Sequence, residues 1–217
     1  SNVEIERFFT KDIQGEVFDS IDWEKTDIAI SDDAGKLLFT QKDVEFPSFW
    51  SPLARKITCS KYFFGEQNSE EREGGLKELV WRVTSTMKDW AAKYNYFKSS
   101  DDLDNFEREL SFINVNQLMA FNSPVWFNVG THKVERISHS KSHGQKDAYV
   151  FENGEVVKIP IGKESMYPQT SACFIQSVDD TMESIMDLAK KEALLFKHGS
   201  GSGSNISTLR SSREKLS

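Results

Sequence analysis

A chain of 217 residues with 38% hydrophobic and 12% aromatic content carries enough apolar surface for one large domain or two small ones, which excludes a disordered segment. Its 27 Lys and Arg against 34 Asp and Glu give a formal charge of -7, so no net positive field draws it to nucleic acid, although a helix end can still hold a small phosphorylated ligand. Cys59 and Cys173 alone make no secreted disulfide framework, and without a run of about 18 apolar residues or a basic leader, a soluble cytoplasmic protein with no membrane partner is expected.

In chain order, Asp32, Asp33, Ala34 and Gly35 read as a turn leading into a short strand at 36–40, and Pro47 punctuates the chain. Trp50, Leu53, Ala54, Ile57 and Tyr62 fall at helical spacing across 48–64, with Pro52 placed where only a first turn tolerates it. After an acidic stretch ending in Gly74 and Gly75, the residues Leu76, Leu79, Val80, Val83, Met87, Trp90 and Tyr94 trace one long helical stripe. Ser99 and Ser100 can cap a third helix with Asp101 and Asp102 in its first turn and Leu103, Phe106, Leu110, Ile113 and Leu118 as its buried face; Asn122, Ser123 and Pro124 are expected to end it. The segment 131–145 has no periodicity and reads as an exposed loop, whereas 148–161 reads as a hairpin turning at Asn153 and Gly154. The apolar run 171–175 suits a buried strand, followed by a helix capped by Asp179 or Asp180, carrying Met182, Ile185, Met186, Ala189, Ala193 and Phe196, and stopped by Gly199.

Several groups could carry chemistry. The piece HGSGSGS, His198 to Ser204, reads either as a flexible linker or as a constrained glycine-rich turn whose free N–H groups approach a substrate; it ends in no Gly-Lys-Ser/Thr, and a helix rather than a strand precedes it. Its flanks, a capped helix before and the apolar Ile206 and Leu209 after, favour a turn inside one fold. Cys173 on an apolar strand is by default a small buried hydrophobe, and a redox role needs a partner thiol; Cys59, on a helix of different character, reads as a packing residue. His132, His139 and His143 include a four-residue spacing that could share a metal, but with no helix and no Cys near them a solvated loop is expected and no metal site.

Three segments occur together in one family: FNSPVWFNVG at 121–130, PQTSACFIQSVDD at 168–180 and SGSGSNISTLRSS at 200–212. With VEFPSFWSPLARKITCSKYFFG at 44–65, they resemble class II, adenosylcobalamin-dependent ribonucleotide reductases, specifically the amino-terminal part. The resemblance implies an α/β fold: a mainly helical domain over 1–120, then over 121–217 the first elements of a ten-stranded α/β barrel, with a loop and hairpin insertion at about 131–165. It implies that Ser123 contacts a ribonucleotide, that Ala172 and Cys173 line the same pocket, and that Gly201, Gly203, Asn205 and Ser207 hold its phosphate or ribose. Cys173 matches one of two reducing thiols, and Asp180, with Arg213 as a weaker candidate, matches the effector-binding position; Asp180 has a rival role as a helix cap.

The implied enzyme is a thioredoxin-linked, cobalamin-dependent ribonucleoside-diphosphate reductase, although the sequence itself does not distinguish a diphosphate from a triphosphate substrate. Its partners would be a ribonucleotide substrate, a dNTP effector, a thioredoxin-like reductant and a second copy in a homodimer. Both ends of the chain, Ser1 without a Met and the charged run 213–217, look cut. In the family the partner thiol, the radical-bearing cysteine and the acid/base carboxylate lie beyond such an end, so the chain alone is expected to be inactive until a further segment or second chain completes the site. The alternative is a non-catalytic helical or nucleotide-binding module with the same fold pattern.

Overall fold

The computed structural model describes residues 3–134, 149–160, 163–197 and 199–214. Two long strands come first: β1 (Trp23–Ser31) and β2 (Leu37–Pro47) pair antiparallel from Trp23 opposite Pro47 to Ser31 opposite Leu37. The turn between them is the expected one, with the Asp32 carboxylate accepting from the N–H groups of Ala34 and Lys36 and Gly35 left-handed at φ 79°. The strands reach well beyond the short segment the sequence suggested. Half of their residues are exposed, so apolar alternation is weak, and only the base, with Ile28, Val44 and Phe46, enters the core.

Three helices pack on that base: α1 (Pro52–Tyr62), α2 (Leu76–Lys93) and α3 (Ser100–Val115). Phe46, Trp50, Phe63, Leu76, Leu79, Val80 and Val115 join the hairpin base in one cluster, each worth roughly 1.5–3 kcal/mol when fully buried. The indole N–H of Trp50 donates to the Val115 carbonyl at 2.8 Å, fixing the end of α3 against the start of α1. Helix α1 starts as expected, with Ser51 capping and Pro52 in the first turn, but its buried face is different. Leu53 is 67% exposed and Ile57 is also exposed, while Arg55 and Cys59 point inward. Arg55 is drawn in by an ion pair with Glu24 and by the carbonyls of Pro47 and Ser48, which a reading of apolar spacing does not register. Cys59 is the packing thiol expected, and burial pushes it up to about 11 against the opposing pull of Arg72.

Helix α2 follows its predicted stripe as far as Trp90 and also buries Arg82, whereas Tyr94 lies just past its end and is exposed. Helix α3 has the expected start: Ser99 and Asp102 form a reciprocal capping box. It stops at Val115, where Gln117 turns left-handed at φ 57°, so Leu118 lies outside the helix and is exposed rather than part of its buried face. The Asn122, Ser123, Pro124 group opens a helix instead of ending one. The Asn122 side chain accepts from the Val125 N–H, and α4 (Ser123–Asn128) follows.

The hairpin of β3 (Tyr149–Glu152) and β4 (Glu155–Lys158) turns at Asn153 and Gly154, φ 53° and 87°, as the Asn-Gly pair predicts. The last unit runs β5 (Cys173–Ser177), α5 (Met182–Lys197), β6 (Gly201–Asn205), with β5 and β6 parallel. The architecture is therefore mixed α/β, with three two-stranded sheets and no closed barrel among the described residues. No described helix is long and apolar enough to cross a membrane.

Candidate functional site

The glycine-rich piece is a strand, neither a linker nor the turn the sequence suggested. Its parallel register sets Cys173 beside Gly201, Ile175 beside Gly203 and Ser177 beside Asn205. In a strand successive side chains alternate between faces, so Gly and Ser at alternate positions separate by face. The Ser202 and Ser204 hydroxyls both donate to Glu192 on α5, at 3.1 and 2.8 Å, which fixes the helix side. The opposite face carries Cys173, Ile175, Ser177, Gly201, Gly203 and Asn205, and Ile175 is 85% exposed on it. The ladder with β5 consumes the backbone groups that face it, so β6 offers a surface without side chains more than a nest of free N–H groups.

That surface is a floor beside the sulfur. A methyl carbon placed on Gly201 would sit 3.6 Å from the Cys173 Sγ and from the Ala172 carbonyl oxygen, which itself accepts from the Gly201 N–H. One placed on Gly203 would press the Ile175 side chain at 3.2 Å. Cys173 is exposed and unpaired, contrary to the buried strand expected; two strands with one helix cover only one face. Cys59 is fixed in the other core and forms no disulfide.

The start of β6 is tied to α4. Ser200 is buried, donates to the Ser171 carbonyl at 2.9 Å and accepts from Gln169, whose carbonyl in turn accepts from Asn128 at 2.8 Å. A methyl carbon placed on Gly199 would sit 3.9 Å from the Phe127 ring. Ser123 is at the other end of α4, about 8 Å along a helix of this length. Its hydroxyl meets the Tyr62 phenol at 3.1 Å, and no described hydrogen bond joins it to Cys173.

At the far end of the pair, the Asn205 carboxamide accepts from the Ser207 N–H and hydroxyl at 3.0 and 2.7 Å, closing a tight turn. Both side chains are thus occupied with each other. Thr208 then bonds the Val178 carbonyl, and the Arg210 guanidinium pairs with Asp180. Asp180 is not the cap of α5: Thr181 accepts from the Ser184 N–H, while Ser184 accepts from the Asp179 N–H. Arg213 is exposed in a turn, where its N–H meets the Ser211 hydroxyl. The basic partner of Asp180 is Arg210, which the sequence reading passed over. The usable signal was the parallel register, which brings the ends of both strands together.

His132 lies in a short 3-10 turn, and His139 and His143 fall outside the described residues. No cluster of three metal-ligating side chains occurs among the described residues.

A family model described as class II vitamin B12-dependent ribonucleotide reductase matches residues 24–117, and one described as ribonucleotide reductase, barrel domain, matches 171–217. Among curated proteins, the chain is similar to vitamin B12-dependent ribonucleotide reductases from Rhodopirellula baltica (45% identical over 90% of this chain) and Streptomyces clavuligerus (40% over 92%). A relative of the same name from Agrobacterium fabrum is 35% identical over 98% of this chain. The chain spans only 18–19% of the length of these three relatives. These matches, running from the β1–β2 hairpin through the β5–β6 pair, place the chain in the class II vitamin B12-dependent ribonucleotide reductase family.

Proposed function

We propose that this chain supplies the substrate-side surface of a ribonucleotide reductase, with 1–120 as its amino-terminal domain and 121–217 as the start of its barrel. The observation that carries this reading is the placement of Cys173 beside the glycine face of β6, open to solvent. A flat sugar can lie against backbone where no side chain projects, within reach of the sulfur. Cys173 acts as one of two reducing thiols. As the pair joins in a disulfide it gives up two electrons and two protons, and the ribose 2′ carbon exchanges its hydroxyl, lost as water, for hydrogen. Cys59 cannot be the second thiol, so that group comes from elsewhere in the whole protein, as do the radical-bearing cysteine and the acid/base carboxylate.

Ser123, Ala172, Gly201, Gly203, Asn205 and Ser207 would contact the ribonucleotide, a diphosphate in the fullest form of this reading. Asp180, paired with Arg210, would face a dNTP effector with Arg213 as the weaker candidate, a thioredoxin-like protein would regenerate the dithiol, and the whole would work in the cytoplasm, as a homodimer. The family name implies adenosylcobalamin, which would supply the radical. Two cavities among the described residues, of about 530 and 690 Å³, are of the size that holds drug-like molecules.

The test is Cys173→Ser in the reductase that contains this chain. Turnover with a thiol reductant should be abolished while nucleotide binding persists; full turnover would remove Cys173 from the chemistry.

A further inference from the structure

The proposed contact between Ser123 and a ribonucleotide leaves open what aims its hydroxyl. A serine hydroxyl rotates freely, with one donor and two acceptor positions, and a free rotor binds a substrate oxygen only after losing that freedom. Here the rotor is held. Tyr62, the last residue of α1, places its phenol oxygen 3.1 Å from the Ser123 Oγ. The phenol is itself fixed, because its ring stacks on Phe127 with centroids 5.2 Å apart and planes 16° from parallel. Residues on both sides of Tyr62 anchor the end of α1: Cys59 and Phe63 are buried in the main core. Phe127 in turn is near Gly199, just before β6: its ring edge is 3.9 Å from where a side-chain carbon at that position would stand.

We infer that Tyr62 is a positioning residue for the substrate, orienting the Ser123 hydroxyl. A phenol is a stronger acid than an alkyl hydroxyl and is the better donor, so the Tyr62 O–H points at Ser123 and the Ser123 O–H is left to donate outward. An outward donor is what a phosphate or ribose oxygen requires. The stacked rings join the end of α1 to α4, whose far end is tied to the start of the glycine strand through Asn128, Gln169 and Ser200. The inference rests on the proposed role of Ser123.

The experiment is a double-mutant cycle in the reductase that contains this chain, with Tyr62→Phe, Ser123→Ala and the pair, reading nucleotide KM and kcat separately and the thermal midpoint of each. Phenylalanine keeps the ring stack, so Y62F should lower the midpoint by no more than the loss of one neutral hydrogen bond does. One neutral hydrogen bond corresponds to about threefold to tenfold in kcat/KM, expected here as a rise in KM with kcat preserved. The double variant should be no worse than S123A alone, because Tyr62 acts only through Ser123. If S123A raises KM and Y62F does not, or if the two effects multiply, Tyr62 is no positioning residue while the Ser123 contact stands. If S123A itself changes nothing, the substrate role of Ser123 fails and takes the inference with it.

Discussion

Replacing Arg82 by methionine tests how α4 is held in place. The Arg82 side chain is fully buried, and that of Glu73 is 1% exposed. Its Nε donates to Glu73 Oε1 at 2.7 Å and its Nη2 to Oε2 at 3.4 Å; the remaining donors go to the carbonyls of Val129 at 2.6 Å and Trp126 at 3.0 Å. Glu73 Oε2 also accepts from the Phe64 N–H at 2.7 Å, so one ion pair joins α2, the loop before it and the end of α4. Methionine fills much of the space but strands the carboxylate, and deleting one partner of a buried pair costs about 3–5 kcal/mol. The two abandoned carbonyls add to this, at about 1–3 kcal/mol each if no water reaches them. A loss of about 4 kcal/mol or more is therefore expected in urea unfolding followed by tryptophan fluorescence. Adding Glu73→Gln to R82M should return part of that loss, since no charge is then left buried. A loss below about 1 kcal/mol for R82M, or no recovery in the double variant, would refute this account of the core.

Three further outcomes are expected. Gly201→Ala should leave thermal stability nearly unchanged, since the nearest neighbours of an added carbon are 3.6 Å away and the strand has ordinary φ, but should weaken nucleotide binding in the reductase; binding unchanged by calorimetry would show that the floor is not used. Iodoacetamide at pH 8 should label Cys173 and spare Cys59, whose thiol burial holds at about 11, and mass spectrometry finding both labelled at equal rates would overturn the assignment. Burial pulls Glu109 upward, but the Thr10 hydroxyl and the N–H groups of Phe8, Phe9 and Thr10 outweigh it, so its carboxyl lies below the usual 4.5. A lowered folded value stabilises above that pH and is lost as pH falls through the folded value; the stability gap between the protein and Glu109→Gln should close below pH 4.5, and a gap unchanged down to pH 3 in urea titrations would contradict it.

What the sequence reveals depends on whether a single segment decides the outcome. The α2 stripe, the Ser99 and Asp102 capping box and the Asn153 and Gly154 turn are local devices, and each is found where its residues predict. Half of the β1–β2 strand residues face solvent, so the pairing is written in long-range register and hardly in periodicity. The inward turn of α1 is decided by where Arg55 finds carbonyls and Glu24, which no spacing rule contains. At the site, the alternation of Ser and Gly over 200–204 did carry a strand signal with a period of two, masked because glycine and serine are poor strand formers. The nearness of Cys173 to that segment was legible only through the resemblance. The pairings of Tyr62 with Ser123 and Arg210 with Asp180 join residues 61 and 30 positions apart and needed the fold.

A parallel ladder of two five-residue strands has a second consequence, outside catalysis. Among the described residues, neither β5 nor β6 has a neighbour on its outer side, so each presents a lateral row of unsatisfied peptide groups next to the bare Ile175 side chain. Such rows template further strands. Expressed by itself, the polypeptide is thus expected to clump through this corner, and charged residues introduced along the rims of β5 and β6 should keep it dispersed.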